Sequence, residues 1–90
     1  MAIGFDSAKR AQTLADRGLD FADAWRVIDG VKYQFVDDRH DYGEERITTI
    51  GFLRERMVVV VWTQRGEDRH VISMRKANQR EQARYAKYLD

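Results

Sequence analysis

Apolar positions along this chain change period twice. Up to Ile28 they recur every three or four residues, as on one face of a helix, and from Tyr33 to Arg75 they alternate or run together, as in strands. After Asn78 the helical spacing returns. Asp6 or Ser7 can cap a first helix through about Arg17, with Ala8, Ala11, Leu14 and Ala15 as its apolar stripe. Gly18 ends it, because glycine accepts the left-handed conformation helices commonly need past their last turn. A second helix starts at the N-cap Asp20 and covers about residues 21–28, placing Phe21, Ala24, Trp25 and Ile28 on one face before Gly30 closes it.

Residues 33–36 read as a short first strand and 37–43 as a polar loop. Three β-rich runs follow, 45–52, 57–64 and 69–75, joined by the turn-like segments 53–56 and 65–68. Connectors this short require antiparallel hairpins, since a parallel crossover needs a dozen residues or more. Asn78 and Glu81 then form a reciprocal capping pattern in front of a helix over 79–89, in which Ala83, Ala86 and Leu89 pack with Tyr85 beside them while Arg80, Arg84 and Lys87 project outward. The expected fold is therefore α+β: two N-terminal helices, a four-stranded antiparallel sheet and a C-terminal helix. With 65–68 as the hairpin loop, Gln64 opposes Arg69. That register puts Val59, Val61, Ile72 and Met74 on a core face, with His70 on the same side. It puts Val58, Val60, Trp62, Val71 and Ser73 on a mixed face with Arg69 and Arg75 at its ends.

Ninety residues suffice for one domain and one hydrophobic core. Cysteine is absent, which removes disulfides and thiolate metal sites, and the longest apolar run, 57–62, is far below a membrane span. The start of the chain carries no signal-peptide pattern, so the expected location is the cytoplasm. The net charge of +1 conceals a dipole: residues 1–45 hold 6 Lys/Arg against 10 Asp/Glu, and residues 46–90 hold 10 against 5. Arginine supplies 12 of the 16 basic residues, and its planar fork matches phosphate with two parallel hydrogen bonds. The basic half points to a phosphate-bearing partner; a solvated charged surface would give the same count.

Several short segments, in order, resemble the BrnT toxins, a RelE-like ribonuclease family encoded beside a BrnA antitoxin. They are Phe5-Asp6-Ser7-Ala8-Lys9, then Arg17-Gly18-Leu19 with Phe21 and Ala24, and His40 followed by Gly43-Glu44-Glu45-Arg46 and Ile50-Gly51. The rest are Val58-Val59-Val60-Val61 with Thr63, Ile72-Ser73, Arg75-Lys76-Ala77, Glu81 and Tyr85. The chain departs from the family at Ser7, where a proline is usual, at Thr13, where an asparagine is usual, and at Asp16-Arg17, where Lys-His is usual. The resemblance implies a RelE-like fold, metal-independent RNA cleavage that stops translation, and neutralisation by a ribbon-helix-helix antitoxin of BrnA type. It further implies a complex of two toxins with two antitoxins, in which only the antitoxin touches DNA.

Metal-free RNA cleavage needs a base for the ribose 2′-hydroxyl, an acid for the leaving oxygen and cations for the extra charge on phosphorus. Arg75 and Lys76 at the end of the last strand are the leading phosphate clamp, against solvent exposure or a salt bridge. Arg65 in the hairpin turn is a second cation. His40 has the titration range of a proton shuttle, whereas His70 reads as structural. Tyr85 is either an acid or stacking platform or part of the core. Arg69, Arg46 and Arg84 are candidate RNA contacts, although Glu44-Glu45-Arg46 fits an internal ion pair better. Two distant histidines make no metal cluster, and no cofactor is expected. A different class of function explains the same charge asymmetry, namely a non-catalytic basic module that docks an antitoxin or nucleic acid.

Overall fold

The structure, a computed structural model, describes residues 2–37 and 43–89. Its elements are β1 (Ile3–Phe5), α1 (Ser7–Arg17), a 3-10 turn (Phe21–Asp23) leading into α2 (Ala24–Ile28), and β2 (Lys32–Asp37). Then come β3 (Arg46–Leu53), β4 (Arg56–Arg65), β5 (Asp68–Lys76) and α3 (Gln79–Tyr85), which a 3-10 turn (Ala86–Tyr88) extends. The α+β class holds, but the sheet has five strands in the order β1-β5-β4-β3-β2 and is mixed, because β1 lies parallel to β5. Three residues are too short to show a period of two, which hides β1 in the sequence. The pair of N-terminal helices is also modified, since the second is split into the 3-10 turn and a five-residue helix.

The three hairpins of the meander form as expected, and the β3–β4 and β4–β5 connections tighten to two residues. Arg65 pairs with Asp68 around Gly66-Glu67, and Leu53 pairs with Arg56 around Arg54-Glu55. In each turn the first central residue has positive φ, 61° at Gly66 and 59° at Arg54, the backbone that matches strand twist in two-residue hairpins. Glycine adopts it without penalty, whereas an arginine is strained there.

The β4–β5 register is right near the turn and wrong beyond it. Trp62 opposes Val71, but Val61 opposes Ser73, so Ile72 is an extra residue on β5. A bulge of this kind shifts every later side chain to the other face. Met74 consequently joins Val58, Val60, Trp62 and Val71 in the larger core, beneath Leu19, Phe21, Ala24, Val27 and Ile28. Phe21 is fully buried and meets Phe5 edge-on with centroids 6.2 Å apart; losing such a ring costs about 3–5 kcal/mol. The close fit of α2 to the sheet requires Gly51, where a Cβ would lie 3.1 Å from the Val31 carbonyl oxygen and 3.2 Å from Val27 Cγ1. Trp25 is not part of this packing: it is exposed, with the Arg26 guanidinium 4.6 Å from its ring centroid.

A smaller cluster occupies one end of the opposite face, where Ile50, Met57 and Val59 meet Ala77, Leu89, Tyr33 and Tyr85. Neither α1 nor α3 buries a residue, so the expected stripe Ala8, Ala11, Leu14 and Ala15 stays exposed. Polar ties hold α1 instead. The Asp6 carboxylate accepts from the Ala8 and Lys9 amides, Arg10 donates twice to Asp20 at 2.8 and 3.0 Å, and Arg17 donates to the Met74 carbonyl at 3.0 Å.

Two stability measurements test these local readings. Asn78 accepts from the Glu81 amide at 2.8 Å while Glu81 accepts from the Asn78 amide at 3.0 Å, so Asn78→Ala should cost about 1 kcal/mol, read as a lower melting temperature. Arg54→Gly should raise stability by about 1 kcal/mol by relieving the left-handed strain. An unchanged or lower denaturation midpoint would show that residue 54 is not strained.

Candidate functional site

Helices cover one face of the sheet, and α3 covers only an end of the other. The remaining open face is laid out by register. Tyr33, Ile50, Val59 and Arg75 form one row; Phe35, Thr48, Val61 and Ser73 form the next; Thr63 and His70 pair beyond the bulge. Strand alternation adds Arg46 and Arg65 to this face, because their neighbours Ile47 and Gln64 stand on the other side with Trp62 and Arg69. Same-face rows lie about 7 Å apart along a strand, so Arg75 marks one end of the patch and Arg65 the other. Between them is a floor of hydroxyl and apolar groups, with Phe35 exposed and Val61, Ser73 and His70 half-buried.

The candidate residues divide accordingly. Arg46, Arg65, Arg75 and Tyr85 share the open face. Arg69 does not share a face with Arg75, because the extra residue Ile72 reverses β5 between them; Arg69 lies on the helix-covered face, bonded to Asp29 with its guanidinium 5.6 Å from the Trp62 ring centroid. Lys76 also parts from Arg75: it opposes Val58, so the two adjacent cations point to opposite sides. Tyr85 packs at 5.2 Å from Tyr33, and Arg84 stands 5.5 Å from the Tyr85 ring centroid on the exposed side of α3. His40 lies outside the described residues. His70 is the residue whose surroundings sequence reasoning misread. It opposes Thr63, as the register near the turn requires, and shares a face with Val59 and Val61; that face is the open one, because the larger core forms on the other side around Val58, Val60 and Trp62.

Carboxylates orient these cations. Arg75 makes a two-pronged bond to Glu81, Nη1 to Oε1 at 2.7 Å and Nη2 to Oε2 at 2.8 Å. The Arg75 hydrogen bond holds the Glu81 carboxyl below its ordinary range, and Glu81 in turn raises the Arg75 guanidinium. Arg65 donates to Glu44 at 3.1 Å, and hydrogen bonds from Arg65 and Thr63 lower the Glu44 carboxyl. Glu44 thus forms an ion pair, with Arg65 rather than with its neighbour Arg46. Such pairs set the direction of each fork without neutralising the local field completely. Among the described residues no group of three His, Cys, Asp or Glu side chains could hold a metal ion, and no helix is long and apolar enough to cross a membrane.

Comparison with known proteins identifies relatives. Residues 5–81 match a family model described as the ribonuclease toxin, BrnT, of type II toxin–antitoxin systems. The 1.1 Å crystal structure of the ribonuclease toxin BrnT from Brucella abortus superposes with a TM-score of 0.71 at 32% identity, covering 88% of this chain and 99% of that one. No curated protein matches the chain.

The Arg75–Glu81 pair predicts an acid limb of stability. Glu81 has a depressed folded pKa, so its contribution is fully present above the unfolded carboxylate value of about 4.3 and is lost as pH falls through the lower folded value. The Arg75 side chain is 44% exposed, so screening limits the pair to about 1 kcal/mol. Glu81→Gln should therefore melt lower than the parent at pH 7 and match it more closely near pH 3. Parallel melting curves across that window would remove Glu81 from the acid transition.

Proposed function

The chain belongs to the BrnT family of ribonuclease toxins of type II toxin–antitoxin systems, and we propose that it cleaves RNA without a metal on the open face of its sheet. The observation that carries this reading is the placement of Arg46, Arg65 and Arg75 on one face, Arg75 at one end and Arg46 and Arg65 toward the other, with Phe35, Thr48, Val61 and Ser73 between them. Guanidinium forks bind phosphate oxygens in pairs, and their fixed charge offsets the extra negative charge of a five-coordinate phosphorus. Phe35 offers an exposed ring on which an unpaired base can stack, and Tyr85 beside Tyr33 extends that aromatic strip.

The chemistry follows from the substrate. The ribose 2′-oxygen attacks its own phosphorus as an imidazole takes its proton, the bond to the 5′-oxygen breaks, and that oxygen leaves with a proton from a second donor. His70 is the imidazole on the face, and His40 is the other one in the chain. Lys76 and Arg69 lie on the far side of the sheet and are assigned to other contacts. Cleavage of this kind in the cytoplasm stops translation and harms the host. The reading therefore includes neutralisation by a BrnA-type ribbon-helix-helix antitoxin, in a complex of two toxins and two antitoxins whose DNA contacts come from the antitoxin.

One observation favours a second reading, a basic module that binds without cleaving: Arg65, Arg69 and Arg75 are all already engaged by carboxylates. The purified chain incubated with RNA and EDTA separates the two, since cleavage products are expected only from the first. Arg75→Ala should then reduce cleavage about 100-fold or more, the cost of losing one well-placed donor to transition-state charge. Glu81→Gln, which keeps Arg75, should stay active. Folded Arg75→Ala protein with full activity would remove Arg75 from the reaction.

A further inference from the structure

At the end of the sheet where β5 leaves for α3, a groove of about 1460 Å³ opens between α1, α3 and the β3–β4 turn. Its floor includes the buried Leu19, Leu53, Met57 and Ala77, and exposed apolar residues of the two helices that bury nothing contribute to its walls. Leu14 of α1 is 46% exposed and Phe52 of β3 is 43% exposed, and Ala83 of α3 and Ala86 of the 3-10 turn after it line the same space. Arg54, Arg56 and Lys76 rim it, and among the described residues none of the three has a carboxylate within salt-bridge distance. The rim's acids are less available. Asp20 is bonded to Arg10 and Asp23 lies 3.8 Å from Arg26, leaving Glu55 alone against three cations. The strained Arg54 stands in the wall itself.

We propose that this groove seats an amphipathic helix of the neutralising protein partner, apolar on one side and acidic along its edge. The inference rests on the toxin–antitoxin reading and locates the partner's anchor, at the end of the sheet next to Arg75 and far from Arg65. Size supports it: a three-turn helix about 10 Å across fills roughly 1300 Å³. Charge and polarity support it as well. An acidic edge complements Arg54, Arg56 and Lys76, while the lining of Leu14, Leu19, Leu53, Met57 and alanines is mostly aliphatic and offers a base a single ring, Phe52. A second copy of this chain is disfavoured because its own groove would bring the same three unpaired cations. Helix-in-groove binding of this kind takes its affinity from apolar anchors and its encounter rate from the charged rim.

The test uses the purified full chain and the purified product of the adjacent reading frame, with binding followed kinetically over a salt series. The double variant Arg54→Glu/Arg56→Glu should bind roughly 10-fold more slowly, with the salt dependence of association largely lost. Phe52→Asp and Leu14→Asp should dissociate faster and weaken Kd roughly 30-fold or more. All four sites are exposed and none belongs to the open-face rows, Phe52 standing beyond Ile50 at the α3 end of its strand, so RNA cleavage and melting temperature report that each variant is folded. Unchanged Kd in the folded variants would overturn the groove as the anchor while leaving the toxin–antitoxin reading intact. A neighbour product that neither binds the parent chain nor stops its cleavage would overturn both. Loss of self-association in the variants by light scattering, or loss of RNA binding, with partner affinity retained, would assign the groove to a second copy or to RNA and overturn the proposal.

Discussion

The position of one residue, Ile72, decides what each face of this sheet carries. Without the bulge, β5 would have to choose between burying Val71 with Trp62 and burying Met74 with Val60, because the two are three residues apart and strand alternation sends them to opposite sides. One extra residue lets both enter the same core. The side chains between and beyond them are reassigned as a result: Arg69 stays on the covered face beside Asp29, and Arg75 moves to the open one beside Val59. Core packing therefore dictates the composition of the candidate RNA surface. Bulges also sharpen local twist, and this one lies next to Ser73 and His70, in the middle of that surface.

This also marks what was legible in the sequence. The helix cap at Asn78, the start of α1 at Asp6 or Ser7, the meander and the places of its two short turns were readable because they depend on local chemistry: side-chain acceptors for free amides, and short connectors, which the structure tightens from four residues to two. The family was readable because its segments occur in order. The faces of β5 were not, since a bulge depends on which residues must be buried together, and its position leaves no local mark in Val71-Ile72-Ser73. For the same reason Met74 stands on the opposite side from the one plain alternation gives it, whereas His70 keeps its expected partner Thr63 and differs only in that its face is the open one. The stripe on α1 failed differently. A period of 3.6 shows which side of a helix is apolar, but not whether this domain has anything to set against it, and the larger core is filled by the 3-10 turn and α2.

What α1 lacks in burial it gains in directed polar contacts, and the same device recurs across the molecule. Arg10 grips Asp20, Arg65 meets Glu44, and Arg75 grips Glu81, which also caps α3. Half-exposed pairs add little stability. Their effect is orientational, since each carboxylate fixes a long flexible side chain to one direction before any ligand arrives, which reduces the entropy lost on binding.

That arrangement makes the carboxylates competitors as well as guides. A phosphate approaching Arg75 finds the outer edge of its fork committed to Glu81, so it binds through the remaining N–H groups at the sides of the guanidinium or displaces Glu81. Displacement is tolerable because Glu81 keeps a second role, accepting from the Asn78 amide at the start of α3. The pair can thus open without leaving the carboxylate unpartnered, and the helix start it caps is tied to the state of the arginine. Arg65 differs: Glu44 holds it through one nitrogen only and it is more than half exposed, so under the proposed function it is the cation open to a phosphate with least rearrangement. The open face therefore presents two unlike arginines, one ready and one reserved, at opposite ends of the same strip.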